Sequence, residues 1–382
     1  MRVLMLACLG AILAGLYGCA SEPPKKKDYS ELVWPVAPEQ PRIRMVAEYH
    51  GQSDLAERDS WKDSLLGEAS ADGVTLKKPY GVAVSADGKK IYVTDTQLHA
   101  VVVFDLEKKE VLPLQTDAQG SMYSPMEVRL DSRGRIFVTD SVRKEVLVLS
   151  QEVKTQEIKP QDGKPQEGKP QEGKPEKIKT LMALGKKEGL DRPTGLALDE
   201  ARNRMYVADT TKHRIVVYDL DGKYLKSFGE RGAEPGQLNF PVNLAVDRDG
   251  KLLVTDTGNF RVQVFAGEGK FLNTFGSLGD SYGSFSRPKG VALDSDNNVY
   301  VVDAAFNNFQ IFNREGKVLL FVGTAGRSAG TFWLPSGIFV DGSDKVYVVD
   351  SINERVQVFQ YLKEKGTAIE KEAAPVLQGS TK

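Results

Sequence analysis

At 382 residues the chain is long enough for two or three domains of about 100–200 residues each, or for one closed β architecture. A composition of 41% hydrophobic, 27% charged and 8% aromatic residues supports a sizeable core and excludes both global disorder and a polytopic membrane protein. With 51 basic residues against 52 acidic ones the net charge is -1, so no global field draws the chain to nucleic acid or to an anionic bilayer.

The chain opens with Met1 and Arg2, followed by an apolar run over residues 3–16 broken only by Gly10 and Gly15. That run has signal-peptide length and is shorter than the roughly 20 residues a spanning helix needs. It ends in Leu16-Tyr17-Gly18-Cys19, which resembles the lipobox of bacterial lipoproteins. The resemblance implies removal of residues 1–18 and a diacylglycerol on the Cys19 sulfur. A plain signal sequence with an incidental cysteine is the competing reading. Ala20, rather than Asp, after the cysteine implies sorting to the outer membrane, on its periplasmic or surface side. The other cysteine, Cys8, leaves with the signal peptide, so none remains for a disulfide, a thiolate metal site or haem attachment. No cofactor is expected beyond the lipid. Residues 19–41, with Pro23, Pro24, Pro35, Pro38, Pro41 and the Lys25-Lys26-Lys27 run, read as the lipidated cysteine and an extended tether.

Residues 42–51 alternate as a strand, and Leu55, Trp61, Leu65 and Leu66 within 54–67 predict one face of a short helix. This helix either acts as a lid over a loop-rich surface or merely spans a gap. From there the sequence repeats. Each unit reads as Pro, an inner apolar strand, a Gly or Asp turn, a strand ending in Asp, a polar turn, and a Val-x-Val-Phe strand. The second strand recurs as Ile91-Tyr92-Val93-Thr94-Asp95, Ile136-Phe137-Val138-Thr139-Asp140, Met205-Tyr206-Val207-Ala208-Asp209, Leu252-Leu253-Val254-Thr255-Asp256, Val299-Tyr300-Val301-Val302-Asp303 and Val346-Tyr347-Val348-Val349-Asp350. The closing aspartates lie 45, 69, 47, 47 and 47 residues apart.

The long interval holds residues 151–179, a Lys-Pro-Gln-Glu-Gly low-complexity insert with nothing to bury, expected to loop out between the third and fourth strands of unit two. Without the signal, tether, insert and a polar tail over 363–382, about 49 residues remain per unit, enough for one four-stranded blade. The expected fold is all-β: a six-bladed propeller of four-stranded antiparallel blades over 42–362. The sixth unit lacks a fourth strand, and Arg42-Ile43-Arg44-Met45-Val46-Ala47 carries the missing pattern. The amino-terminal strand is therefore expected to complete the last blade and close the ring.

The segments Asp209-Thr210-Thr211-Lys212-His213-Arg214 and Asp256-Thr257-Gly258-Asn259-Phe260-Arg261 resemble the NHL-repeat signature, most closely in units three to six. Units one and two, with Gln97-Leu98-His99-Ala100 and Val142-Arg143-Lys144-Glu145, belong by strand pattern alone. The resemblance implies a propeller used mostly as a binding platform, with a minority of lyases and related lactonases, and so no single activity.

Asp95, Asp140, Asp209, Asp256, Asp303 and Asp350 each precede a turn, where carboxylates cap backbone amides; a six-carboxylate cation ring is the alternative. Arg214, Arg261 and Arg355 share one turn position and are expected to pair with neighbouring acids. Leu76, Met122, Leu190, Leu238, Phe285 and Phe332, three residues before each proline, are expected core plugs. The crossing loops beside them place Tyr80, Tyr123, Phe240, Tyr282, Arg287 and Trp333 on one face, a composition suited to a protein partner. Gly81, Gly195, Gly290 and Gly337 set a glycine rule that Glu127 and Asn243 break, making these two candidate channel ligands. The positions that hold a metal in related lactonases are here Tyr80, Met126, Thr194, Val242, Lys289 and Ser336, and His50, His99 and His213 are few for a zinc lyase. No catalytic residue or metal site is assigned. The favoured reading is a monomeric, lipid-anchored, non-catalytic scaffold that binds proteins of the bacterial envelope and no nucleic acid. The alternatives are a metal-dependent lyase or lactonase, and a small-molecule sensor or carrier that uses the channel.

Overall fold

The computed structural model describes residues 27–55, 73–150 and 178–363. Period-two alternation of Val, Ile, Leu and aromatic residues, punctuated by Gly, Asp and Asn turns, yields six antiparallel sheets. Blade three shows the plan from the inside outward: Pro193–Asp199, Arg204–Asp209, Arg214–Tyr218 and Tyr224–Phe228. The other inner strands are Pro79–Val84, Pro125–Leu130, Pro241–Val246, Pro288–Leu293 and Pro335–Val340. Each inner strand contacts the next, and the sixth contacts the first, so the ring is closed around a central channel. The chain is an all-β six-bladed propeller.

Each inner strand begins at a proline, which has no amide to donate, and the register shifts just after it. Side chains on the second strand take over the lost pairing in three blades. Thr94, Thr139 and Thr255 accept from the amides of Gly81, Glu127 and Asn243 at 2.7, 3.0 and 2.9 Å. The Asp-ending strand thereby fixes where the innermost strand enters the channel wall.

The six loop plugs are all buried. Phe285 and Phe332 fill space that exists only because Gly276 and Gly323 precede them. Both glycines have φ near +90° (85 and 94), and a Cβ there would meet the neighbouring ring at 2.4 Å. Large apolar clusters therefore lie between blades, and their burial supplies most of the driving force for closing the ring.

Closure occurs in blade six. Ile43–Tyr49 pairs with Arg355–Tyr361 as the outer strand, with Ile43 and Met45 buried. Arg355, buried, bridges Glu48 at 2.7 Å and Asp350 at 2.8 Å, joining the amino-terminal strand to the last unit. One boundary differs from the sequence expectation. The extended tether was expected to run to residue 41, but Val33–Trp34 pairs with Arg44 and Ile43 as a fifth strand. The Trp34 ring meets Phe359 edge-on at 5.7 Å and lies against Gly330, and burying so large an aromatic draws the preceding chain onto the blade.

The expected helix over 54–67 falls almost entirely outside the described residues, which end there with the 3-10 turn Gln52–Asp54 and Leu55. Most of the 151–179 insert and nearly all of the 363–382 tail also lie outside them. The insert's flanks are the third and fourth strands of blade two, Glu145–Leu149 and Thr180–Leu184.

Candidate functional site: one face of the ring and the central channel

The six aspartates organise the face formed by the crossing loops and the turns after the second strands. All six are fully buried. Asp95 accepts from the amides of Lys77 and Lys78 in its crossing loop, and of Gln97 and Leu98 in its own turn, at 2.7–3.1 Å. Asp140 and Asp303 repeat the pattern with Tyr123, Ser124, Val142 and Arg143, and with Ser286, Arg287, Ala305 and Phe306. In blades three, four and six an arginine replaces part of it: Arg214, Arg261 and Arg355 donate to Asp209, Asp256 and Asp350 at 3.1, 2.9 and 2.8 Å. Each carboxylate is saturated by donors of its own blade, which positions loops and leaves little capacity for a shared ion.

A second layer of contacts ties each turn to the next blade. The last turn residue has a positive φ at His99, Lys144, His213, Phe260, Asn307 and Glu354, and this conformation swings the side chain outward. The His99 ring donates to the Tyr123 carbonyl. His213 Nδ1 accepts from the Phe240 amide at 3.1 Å, with its ring 4.6 Å from the Phe240 ring. Asn307 Oδ1 accepts from the Leu334 amide at 2.9 Å, Lys144 pairs with Asp191 at 2.6 Å, and Glu354 reaches Lys77 at 4.0 Å. Five of the six positions thus latch adjacent blades, and two of the three histidines are used in doing so. Burial, with the nearby Arg231, holds the His213 imidazole below its usual range, which keeps the accepting neutral form.

The latches hold exposed apolar side chains. Tyr123 is 56% exposed and Trp333 43%, the latter with the Arg327 guanidinium 5.1 Å from its ring. Leu98, three places after the turn aspartate of blade one, and Val142 and Ile352, two places after those of blades two and six, are also exposed, as is Leu334. The Ile352 amide donates to the Trp333 carbonyl, Glu354 reaches Lys77, and His99 reaches Tyr123, so these residues form one arc across three consecutive blades.

Of the six residues expected on one binding face, Tyr123 and Trp333 lie on this arc. Phe240 and Arg287 are exposed on the same face of blades four and five. Tyr282 stacks at 4.9 Å on Phe321 of Val318–Val322, the outer strand of blade five, which puts it at the rim away from the arc. Tyr80 does not lie on the open face: half-buried at the channel mouth, it sits under Lys289, whose Nζ is 5.3 Å from the ring, because the inner strand turns it inward. The set Leu98, Val142 and Ile352 is faint in the sequence. Its only signal is an apolar residue two or three places after the turn aspartate, where units three and four carry Thr211 and Gly258.

Glu127 and Asn243 meet inside the channel. Asn243 Nδ2 donates to Glu127 Oε2 at 2.5 Å, joining blade two to blade four past Gly195 of blade three. Gly195 must be small, since a Cβ there would lie 2.5 Å from the Asn243 Cα. The pair also serves channel-facing backbone: Glu127 Oε1 accepts from the Val128 amide, and Asn243 Oδ1 from those of Leu244 and Val291. Arg129 Nη1 donates to Glu127 Oε1 at 2.5 Å. Burial pushes the Glu127 carboxyl up, against the opposing pull of Arg129 and Asn243. Among the described residues, no three His, Cys, Asp or Glu side chains gather in a metal-binding group.

Comparison with known proteins fits this architecture. The family model described as SMP-30/gluconolactonase/LRE-like region matches residues 183–276, and that of the NHL repeat matches residues 285–312. With six blades in place, the chain is an NHL-repeat six-bladed propeller. Protein brain tumor of Drosophila melanogaster is 41% identical over 66 residues, 17% of this chain and 6% of its own length, so the chain spans only a small part of that relative. Among solved structures, a structural genomics protein of unknown function from Bacteroides thetaiotaomicron VPI-5482 superposes with a TM-score of 0.58 at 15% identity, over 84% of this chain and 75% of that one. Virginiamycin B lyase from Staphylococcus aureus superposes with a TM-score of 0.51 at 13% identity, over 84% of this chain and 100% of that one. At these identities the likeness is one of fold.

Proposed function

We propose that the propeller is a protein-binding platform and that the arc of Leu98, Tyr123, Val142, Trp333, Leu334 and Ile352 is its contact surface. The observation that carries this reading is the latching: exposed apolar side chains on short loops are fixed by buried aspartates and inter-blade bonds. A surface already ordered loses little conformational freedom on association, so more of its contact energy appears as affinity. Aromatic anchors beside arginine are also the residues that dominate such interfaces. We propose further that Cys19 carries a diacylglycerol and that the ring stands on the outer membrane of a bacterial envelope. That part rests on the lipobox resemblance, and Cys19 lies outside the described residues. The anchor is tested by detergent partition and intact mass: the parent chain should partition with lipid mass added at Cys19, and Cys19→Ala should stay aqueous.

The platform reading is tested by affinity capture from envelope extract, comparing the parent with a Tyr123→Ala/Trp333→Ala/Ile352→Ala variant of equal melting temperature. A partner held by the parent and lost by the variant is expected. Equal capture by both would overturn the assignment of this surface. A lyase- or lactonase-type enzyme is a second reading, favoured by the gluconolactonase-like match over 183–276 and by the lyase fold neighbours. Turnover abolished by Glu127→Gln, with capture unaffected, would favour it.

A further inference from the structure

The residue before each inner-strand proline stands at the mouth of the channel, on the face that carries the arc. It is Lys78, Arg192 and Arg287 in blades one, three and five, and Ser124, Phe240 and Leu334 in blades two, four and six. The three cations have a fixed backbone. Their amides donate to Asp95, Asp209 and Asp303 at 3.0–3.1 Å, and their carbonyls accept from the amides of Thr96, Thr210 and Ala304. All three residues are exposed. A fourth cation lies across the mouth itself. Lys289, half-buried and one place into the inner strand of blade five, reaches past blade six to blade one, where its Nζ is 3.5 Å from the Tyr80 hydroxyl and 5.3 Å from the Tyr80 ring. Its equivalents in the other five blades, Tyr80, Met126, Thr194, Val242 and Ser336, are uncharged.

These four cations differ from the paired ones around them. Among the described residues none of the four meets a carboxylate. The acids beside the mouth are committed elsewhere: Glu354 to Lys77, Asp191 to Lys144, and Glu127, deeper in the channel, to Arg129 and Asn243. Like charges gathered on one rim repel each other and focus a positive potential at the opening. The fold does not ask for them, since blades two, four and six start the same strand after an uncharged residue. A group that neutralises them must carry several negative charges close together, which a protein offers as clustered Asp and Glu side chains. A nucleic-acid strand is matched instead by a continuous basic track with stacking rings along it, and the uncharged alternate blades interrupt such a track. The mouth is also continuous with the arc: Lys78 follows Lys77, which reaches Glu354 in the blade-six turn, and Leu334 of the arc occupies the blade-six position of the same rim.

We infer that the partner bound at the arc presents an acidic segment to the channel mouth, where Lys78, Arg192, Arg287 and Lys289 receive its carboxylates. This rests on the platform reading and adds the chemistry of the partner. The test is fluorescence anisotropy at low salt with labelled hexaglutamate, and with hexaglutamine as the uncharged control. Two variants of the purified chain accompany the parent. Lys78→Gln/Arg192→Gln/Arg287→Gln empties the rim, and Lys223→Gln/Lys270→Gln/Lys317→Gln removes three exposed lysines from the hairpins at the other end of blades three, four and five, with the same change in net charge. Saturable hexaglutamate binding that weakens with added salt is expected, about tenfold weaker in the rim variant and within about twofold of the parent in the hairpin variant. Hexaglutamine should not bind. No saturable hexaglutamate binding, an equal loss in both variants, or glutarate binding as tightly as the hexapeptide would overturn the assignment. The titration uses no partner and no arc residue, so its failure with capture intact would strike this inference alone, while the platform reading is decided by the capture experiment.

Discussion

Blades three to five and blades six, one and two are built from the same repeat and solve the same packing problem, yet they differ in what they leave exposed. The first half is regular: its aspartates are 47 residues apart, and its turns carry Thr211, Gly258 and Ala305. The second half holds the closing strand, the insert and the exposed Leu98, Val142, Ile352, Tyr123 and Trp333. In both halves the buried aspartate, the inner proline and the loop plug are kept. The fold therefore does not require the apolar turn residues of the second half, and a surface that architecture does not explain is the place to look for contact with another molecule.

The largest expected effect lies at the closure. Arg355→Ala leaves the buried Asp350 without its cation and Glu48 with Lys27 alone, and should cost about 3 kcal/mol in urea unfolding. Arg214→Ala, the equivalent change in the regular half, touches a side chain that is 24% exposed against 3% for Arg355, and should cost about a third as much. Equal losses would remove the distinction between the halves at their structural root.

Trp34→Ala should cost about 2 kcal/mol, since the ring is half-buried against Phe359. A melting temperature unchanged by it would return residues 33–41 to the tether. Acid should also weaken the closing strand. Burial alone would raise the Glu48 carboxyl, but Lys27 and Arg355 hold it below the usual range. Its contribution is then fully present above the ordinary glutamate value of about 4.3 and fades as the pH falls through the lower folded value. Glu48→Gln should flatten that part of the stability profile, as read by urea midpoints across the acid range. The smallest effect belongs to the arc itself: Ile352→Ala and Leu98→Ala should change stability by no more than about 0.5 kcal/mol. A larger loss would mean that these side chains pack rather than present.

The blades were legible in sequence because a strand ending in Val-x-Asp recurs six times, 45 or 47 residues apart except across the insert, and its alternation matches the pleat. The closing strand was legible because an unpaired outer position in unit six matched one pattern ahead of unit one. Trp34 was not, because two residues between prolines carry no periodicity, and only the depth of the Gly330 surface shows that the ring is covered. At the candidate site, Glu127 and Asn243 stood out as breaks in a glycine column, but their hydrogen bond depends on two non-adjacent blades facing each other across the channel. The latches were illegible for a different reason: the partners of His99 and His213 lie on the next blade, 24 and 27 residues away, and only a positive φ turns the rings toward them.

We propose that a partner docks on the arc of blades six, one and two. A photo-crosslinking amino acid placed in turn at Trp333, Ile352, Leu98 and Tyr123, and at Leu225 and Leu272 on the outer strands of blades three and four, tests it directly. One crosslinked envelope protein is expected, the same from all four arc positions and absent from both outer-strand positions. Crosslinks to a common protein from Leu225 and Leu272, with none from the arc, would contradict it.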